Sequence, residues 1–405
     1  MKNKKEIIVG IIGVIVIIAL VVGFAIAYQN AKSSNNTVAN NSNSNASSKT
    51  SSSSKSKNGN GMTITEGGNY EISGNSESIT INTKDDVKLV LKDAEITSED
   101  VPAINVESAG TVTIELSGTN KISSTTTEDL DGAIYSKADL VFSGDGTLEV
   151  ESNYDGIVSK DSLVIENGTY VINTDDDGVR GKDSVEIKDG TFTINAGGDG
   201  IKASNDTDTT LGYVTISGGT FDITAKSDGI QAITKATITG GTFNITSAEG
   251  IEGTYVKIDD GTINIEASDD GINASNKSTV STPTVEINGG DITIKMGQGD
   301  TDAIDANGNI YINGGNVNIT ANFAFDFDGT AEHNGGTLII NGTETDAITN
   351  SMMGGGNMKG GMRENAGGEM NCEMKGKMRE FPNGERPEMK PEDAPQKSQV
   401  SNETV

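Results

Sequence analysis

The sequence predicts an all-β chain wound into a parallel β-helix, and three observations carry that expectation. An acidic residue followed by Gly and a β-branched residue returns at Asp155-Gly156-Ile157, Asp177-Gly178-Val179, Asp199-Gly200-Ile201, Asp228-Gly229-Ile230, Glu249-Gly250-Ile251 and Asp270-Gly271-Ile272. The intervals are 22, 22, 29, 21 and 21 residues, a period at which each repeat is one coil that buries its apolar face only by stacking on its neighbours. Within each period three short segments alternate apolar and polar residues, which means strands with one buried face. Glycines stand before the third segment at Gly190, Gly219, Gly241, Gly261, Gly290, Gly315 and Gly336, where a corner needs φ > 0 or has no room for a side chain. The handedness of parallel crossovers favours a right-handed coil, and the period gives about ten to eleven turns.

Residues 1–28 open with Lys2, Lys4 and Lys5 and then run apolar from Ile7 to Ala27. That is about the 20 residues a membrane-spanning helix needs, with its basic end in the cytoplasm. The expected protein is therefore anchored by a single pass on the extracellular face of the cell membrane, or secreted if cleavage follows Ala25-Ile26-Ala27. Residues 29–61 are Asn, Ser, Thr and Lys with almost no apolar content, so they read as a disordered tether. The solenoid is expected over 62–350, with less regular first coils. Its second segments carry Val185 to Ile187, Val214 to Ile216, Val256 to Ile258 and Val285 to Ile287. Its third segments carry Tyr170, Phe192, Phe221, Phe243, Ile263, Ile292, Val317 and Leu338, whose rings should stack in a dry interior. Polar insertions at Asn205 to Leu211, Asn276 to Pro283 and Met296 to Thr301 lengthen three coils, and on solenoids such bulges often border a binding face. Residues 351–405 hold eight of the eleven Met and the lone Cys372. They read as a disordered Gly/Met tail, in which soft thioethers could also take Cu(I) or Ag(I).

Charge narrows the function. The chain carries -29, of which residues 62–350 carry -34. Nucleic acid is excluded as a partner because phosphate contacts need clustered Lys and Arg. If Ile201 points inward, strand alternation puts Gly200 and Lys202 outward. The outward row then reads Arg180, Lys202, Gln231, Glu252, Asn273, Asp305, Asp326 beside a bare glycine stripe, a shallow cradle suited to a linear polymer. The acids form a second row: Asp155, Asp177, Asp199, Asp228, Glu249, Asp270, Asp302. Each could bond backbone amides at its corner, or the column could take a hard divalent cation, calcium outside a cell. Candidate metal ligands are Asp175, Asp176, Asp177, Asp199, Asp269, Asp270, Asp302, Asp305, Asp326 and Asp328.

Catalytic machinery is sparse, and no catalytic residue is assigned. The single histidine, His333, lies in a degraded last coil and reads as an exposed cap residue, so a Ser-His-Asp or Cys-His arrangement is excluded by count. Arg180, in Asp175-Asp176-Asp177-Gly178-Val179-Arg180-Gly181-Lys182, is the sole arginine of residues 62–350. It is the one candidate base for a calcium-dependent uronate lyase.

These coils, with their Asp-Gly-Ile, Val-x-Ile and Gly-Gly-Thr-Phe-x-Ile segments, the exported tether and the Gly/Met tail, resemble the carbohydrate-binding β-helix proteins of Gram-positive anaerobes. The resemblance covers 62–350. It implies a polysaccharide-lyase-like β-helix, bound Ca2+, and binding of cellulose and of acidic sugars such as polygalacturonate. The absence of Trp fits poorly with stacking on neutral glucan, so the expected partner is an acidic polysaccharide. Arg180, Lys182, Lys202, Gln231, Glu252 and Asn273 are the expected contacts on a protein that is a monomer. A uronate lyase is the first alternative, and a structural cell-surface protein that binds no sugar is the second.

Overall fold

A computed structural model describes residues 61–298 and 301–350 of the chain. The expected anchor, the linker up to residue 60 and the tail from 351, with Cys372, lie outside the described residues. Among the described residues no helix is long and apolar enough to cross a membrane.

The described chain is built of short strands with one 3-10 turn, Glu128–Leu130. One sheet has twelve parallel strands, one from each turn, running from Met62–Ile64 to Phe323–Phe327. The turns therefore exceed the expected ten to eleven, because Met62 to Leu116 holds three strands of this sheet, Met62–Ile64, Ile79–Asn82 and Ile104–Ser108, where the pattern suggested two coils. The second and third strands of the coils stack into a 23-stranded sheet. These two stacks are joined through Val87–Glu99, whose first half pairs with Thr111–Ser117 and whose second half pairs with Thr119–Thr125. The ladders between coils are parallel. The only antiparallel pairing among the described residues folds Thr343–Glu344 back on Thr337–Ile340 and closes the last coil.

Register keeps like residues above one another. Ile134, Ile157, Val179, Ile201, Ile230, Ile251, Ile272, Ile304 and Phe325 form one inward column. Tyr170, Phe192, Phe221, Phe243, Ile263, Ile292, Val317 and Leu338 form another. Four of these rings stack face to face, with centroids 4.8, 4.7 and 4.6 Å apart and planes within 6°. The strand spacing imposes that separation, which lies within the range of favourable ring contacts. Phe142 closes the stack edge-on, and the Tyr170 hydroxyl donates to the Asn167 carbonyl at 2.9 Å, so the one polar tip in the column is satisfied. The seven glycines before the third strands all have φ between 81° and 134°, the region in which a β-carbon is strained.

His333 departs from its expected exposure. It pairs in register with Ile312, an inward position, so its ring turns in; the side chain is 5 % exposed and Nδ1 lies 3.9 Å from Asp346.

Candidate functional site

The repeated acid-Gly-Ile corner sets the geometry of the first sheet. Gly178 N–H donates to the Asp199 carbonyl at 2.8 Å and Val179 N–H to the Gly200 carbonyl at 3.0 Å. Gly156 with Ile157 and Gly250 with Ile251 repeat the pattern. Two successive amides facing the same neighbour interrupt alternation, as in a β-bulge. The consequence corrects the expected glycine cradle. A β-carbon on Gly200 would lie 2.6 Å from the Ile223 side chain and 2.6 Å from the Gly229 carbonyl oxygen. The glycine stripe is therefore interior, pressed between the third strand and the next coil. The bulge also moves the acid onto the outward side, beside the residue three positions later.

The acids stack as a buried column. Asp177 N–H donates to Asp155 Oδ1 at 2.9 Å, Asp199 N–H to Asp177 Oδ1 at 2.8 Å, and Asp228 N–H to Asp199 Oδ1 at 2.9 Å. From Asp155 to Asp228 one carboxylate oxygen per coil thus holds the next coil's amide, a bond between turns rather than a local Asx turn. The other oxygen faces the outward row, and what meets it changes along the solenoid.

In the N-terminal half cations meet it. Arg180 lies 2.6 Å from Asp155 Oδ2 and also pairs with Asp131; Lys202 lies 3.1 Å from Asp177 Oδ2 and 2.7 Å from Asp199 Oδ2. Burial works against charging Arg180, but Asp155 and Asp131 outweigh it and hold the guanidinium protonated. A general base needs the opposite. Asp131, in the 3-10 turn region, carries no repeat signature, so the sequence pattern did not single it out. Removing the guanidinium by Arg180→Gln should cost about 2–3 kcal/mol in urea unfolding, because Asp155 would be left buried without a counterion. Adding Asp155→Asn should recover most of that loss. Equal stability of Arg180→Gln and wild type would show that the pair holds nothing.

Beyond Lys202 the outward row runs Gln231, Glu252, Asn273, Asp305, Asp326 in unbroken register, as the alternation predicts. Cations no longer match the acids there. Asp228, Glu249 and Glu252 bring carboxylate oxygens within 4.8 Å of one another, and Lys277, 2.6 Å from Glu252, is the one cation among the described residues in ion-pair contact with this cluster. Gln231 donates to Asp228 and, at 3.3 Å, to Glu252. Burial and neighbouring carboxylates push Glu249 and Asp270 up to about 7 and Asp305 to about 6. Asn273 is 8 % exposed. Its amide donates to Glu249 at 3.0 Å and to Asp270 at 3.3 Å, while its buried Oδ1 meets no donor.

The candidate metal ligands separate accordingly. Asp155, Asp176 and Asp177 also form a compact group, but Arg180 and Lys202 already engage Asp155 and Asp177. Asp175, Asp176, Asp269 and Asp328 are exposed, and Asp199 is buried against Lys202. Asp302 N–H bonds Asp270 Oδ1 at 3.3 Å, continuing the column. Lys182 is exposed beside the row. The cluster of Asp228, Glu249 and Glu252 was missed as a metal centre because Asp228 lies on one coil and Glu249 and Glu252 on the next. Only the register makes them neighbours.

A polysaccharide lyase-like protein from C. thermocellum, solved as a gadolinium derivative, is 25 % identical, with 59 % of this chain and 88 % of that chain covered and a TM-score of 0.42. No curated protein matches the chain. The family described as carbohydrate-binding domain-containing protein matches residues 58–254 and 248–353, which together span the solenoid. The chain belongs to this carbohydrate-binding family.

Proposed function

We propose that the protein is displayed outside the cell, held by its N-terminal segment, and binds an acidic polysaccharide through a calcium-occupied stretch of the first sheet. The observation that carries this reading is the uncompensated half of the acid column. Three carboxylates within reach of one ion, with an orphaned amide oxygen in the next coil, form a hard-oxygen donor set of the kind calcium takes. Asp228, Glu249 and Glu252 would hold the ion, and Asn273 and Asp270 extend the donor set along the row. Bound calcium would supply positive charge at the surface, and a uronate carboxylate would complete its coordination. Without such charge a polyuronate meets a field of its own sign. The outward row from Arg180 and Lys182 through Lys202, Gln231, Glu252 and Asn273 is the line along which the polymer would lie, with Arg180 and Lys202 keeping the row's first half neutral.

The full chain should be retained on insoluble polygalacturonate in calcium and released by a chelator, with Glu249→Gln weakening retention. Retention that ignores both the chelator and Glu249→Gln would sink the calcium bridge. Failure of the folded protein to bind either polygalacturonate or cellulose would favour a structural role at the cell surface.

A further inference from the structure

Two of the three insertions, at 205–211 and 276–283, frame a cleft of about 310 Å³. It is lined by Thr209, Thr210, Tyr213, Thr234, Lys235, Tyr255, Val280 and Ser281. Tyr213, Lys235 and Tyr255 open the second strands of three consecutive coils and pair in register. The two tyrosines therefore stand two strand spacings apart, about 10 Å. The Lys235 ammonium sits 5.1 Å from the Tyr255 ring centroid. Val280, on the rim, is one of only two large hydrophobic side chains exposed among the described residues. Two larger grooves at the ends of the third strands are lined by Ser, Thr, Ala, Gly, Asn and charged residues with Met296, and carry no aromatic ring.

The cleft is held open by bonds that do not involve its contents. Asn205 anchors the first insertion, donating to Asp183 at 2.6 Å and accepting from the Asp208 amide at 2.9 Å. Lys277 ties the second to Glu252 at 2.6 Å, and the Ser278 amide donates to Thr254 Oγ1 at 2.8 Å. The tyrosine hydroxyls are fixed as well, Tyr213 to Glu186 at 3.3 Å and Tyr255 to Glu286. A rigid aromatic surface loses little entropy when a ligand settles on it.

We infer that this cleft is a binding subsite for a neutral pyranose chain, the apolar faces of its sugar rings lying on Tyr213 and Tyr255. The inference rests on the carbohydrate-binding reading but not on calcium or the acid column. Ring spacing suits it: two coil rises approximate the length of two sugar units in an extended β-linked chain, so the platforms can meet alternate rings. Polar chemistry suits it too, since Thr209 lines the cleft with a hydroxyl, the Ser281 hydroxyl has no partner within the chain, and the Thr210 hydroxyl, which donates to Asp208 at 2.7 Å, can still accept. Charge decides between neutral and acidic chains. Lys235 is the one charged residue lining the cleft; Asp259 interacts with it and engages Lys257 at 2.6 Å, and Glu186 and Glu286 accept from the two tyrosine hydroxyls, so neighbouring carboxylates already offset the cation that a uronate would seek.

The test is titration calorimetry of the full chain in a detergent without a sugar headgroup, with cellohexaose, mannohexaose and an oligogalacturonate as probes. At least one neutral hexasaccharide should bind equally well in calcium and in chelator. Tyr213→Ala or Tyr255→Ala should weaken that binding about tenfold, whereas Tyr213→Phe, which keeps the ring, should stay within about twofold. Val280→Asp, at an exposed position where folding is untouched, should weaken it as well. The inference is overturned if neither neutral chain binds, if binding survives all three disruptive substitutions, or if only the oligogalacturonate binds in a tyrosine-dependent way. Failure of the calcium reading would show elsewhere, as loss of calcium-dependent retention on polygalacturonate, which these substitutions leave alone.

Discussion

Stripped of divalent cations, the chain should melt at a lower temperature at pH 8.5 than at pH 5, and calcium should erase most of the difference. Glu249 and Asp270 are held to about 7 in the folded chain, foremost by burial and then by neighbouring acids, against ordinary values of 4.5 and 3.8. A group whose folded value is raised binds its proton more tightly when folded. Its contribution is complete below the unfolded value and is lost as pH rises through the folded one. Stability should therefore fall from about pH 4 to about pH 8. Asp131, Asp259 and Glu286 are shifted the other way by their partners. They set a lower arm, losing their contribution only in stronger acid. For two half-buried groups still partly screened by solvent, the fall between pH 5 and pH 8.5 is on the order of 3 kcal/mol, or roughly 5–10 °C in melting temperature. The double variant Glu249→Gln, Asp270→Asn should make the fall shallower, leaving the part that Asp155, Asp228 and Asp305 contribute in the same direction, and should abolish the calcium gain. A melting temperature that rises steadily from pH 5 to pH 8.5 without calcium would refute this account of the column.

Phe221→Ala should cost about 4 kcal/mol in chemical unfolding. Phe221 is fully buried and sandwiched between Phe192 and Phe243 at 4.7 and 4.6 Å. Truncation opens a cavity that the coils cannot close, because inter-coil hydrogen bonds fix the backbone on both sides. Phe221→Leu should cost only about 1–2 kcal/mol, since the same column passes to Ile263 and Ile292 two and three coils later. A solenoid stacks each coil only on its neighbours, so faster amide exchange should be confined to the coils around Phe221. Uniform loss of protection from end to end would argue against independent coils.

Much of this architecture was readable in the chain. Period-2 alternation and the recurring corner glycines determine three strands per coil, the stacked aromatic column and the order Arg180, Lys202, Gln231, Glu252, Asn273, Asp305, Asp326, because register in a solenoid follows from repeat position. Alternation could not foresee the bulge at each acid-Gly corner, since two adjacent amides facing one neighbour leave no mark in polarity; the glycines consequently turned out to be interior contacts. Tertiary structure alone decided which acids have partners. Asp131 reaches Arg180 across 49 residues, and Asp228, Glu249 and Glu252 meet only because two successive coils are in register. It also made a platform of Tyr213 and Tyr255, two unremarked aromatics that become one surface when insertions 65 or more residues apart frame the same cleft. Sequence fixes what each coil presents; stacking fixes which charges and rings come within a few ångströms, and at that range their interaction is strong enough to make a site.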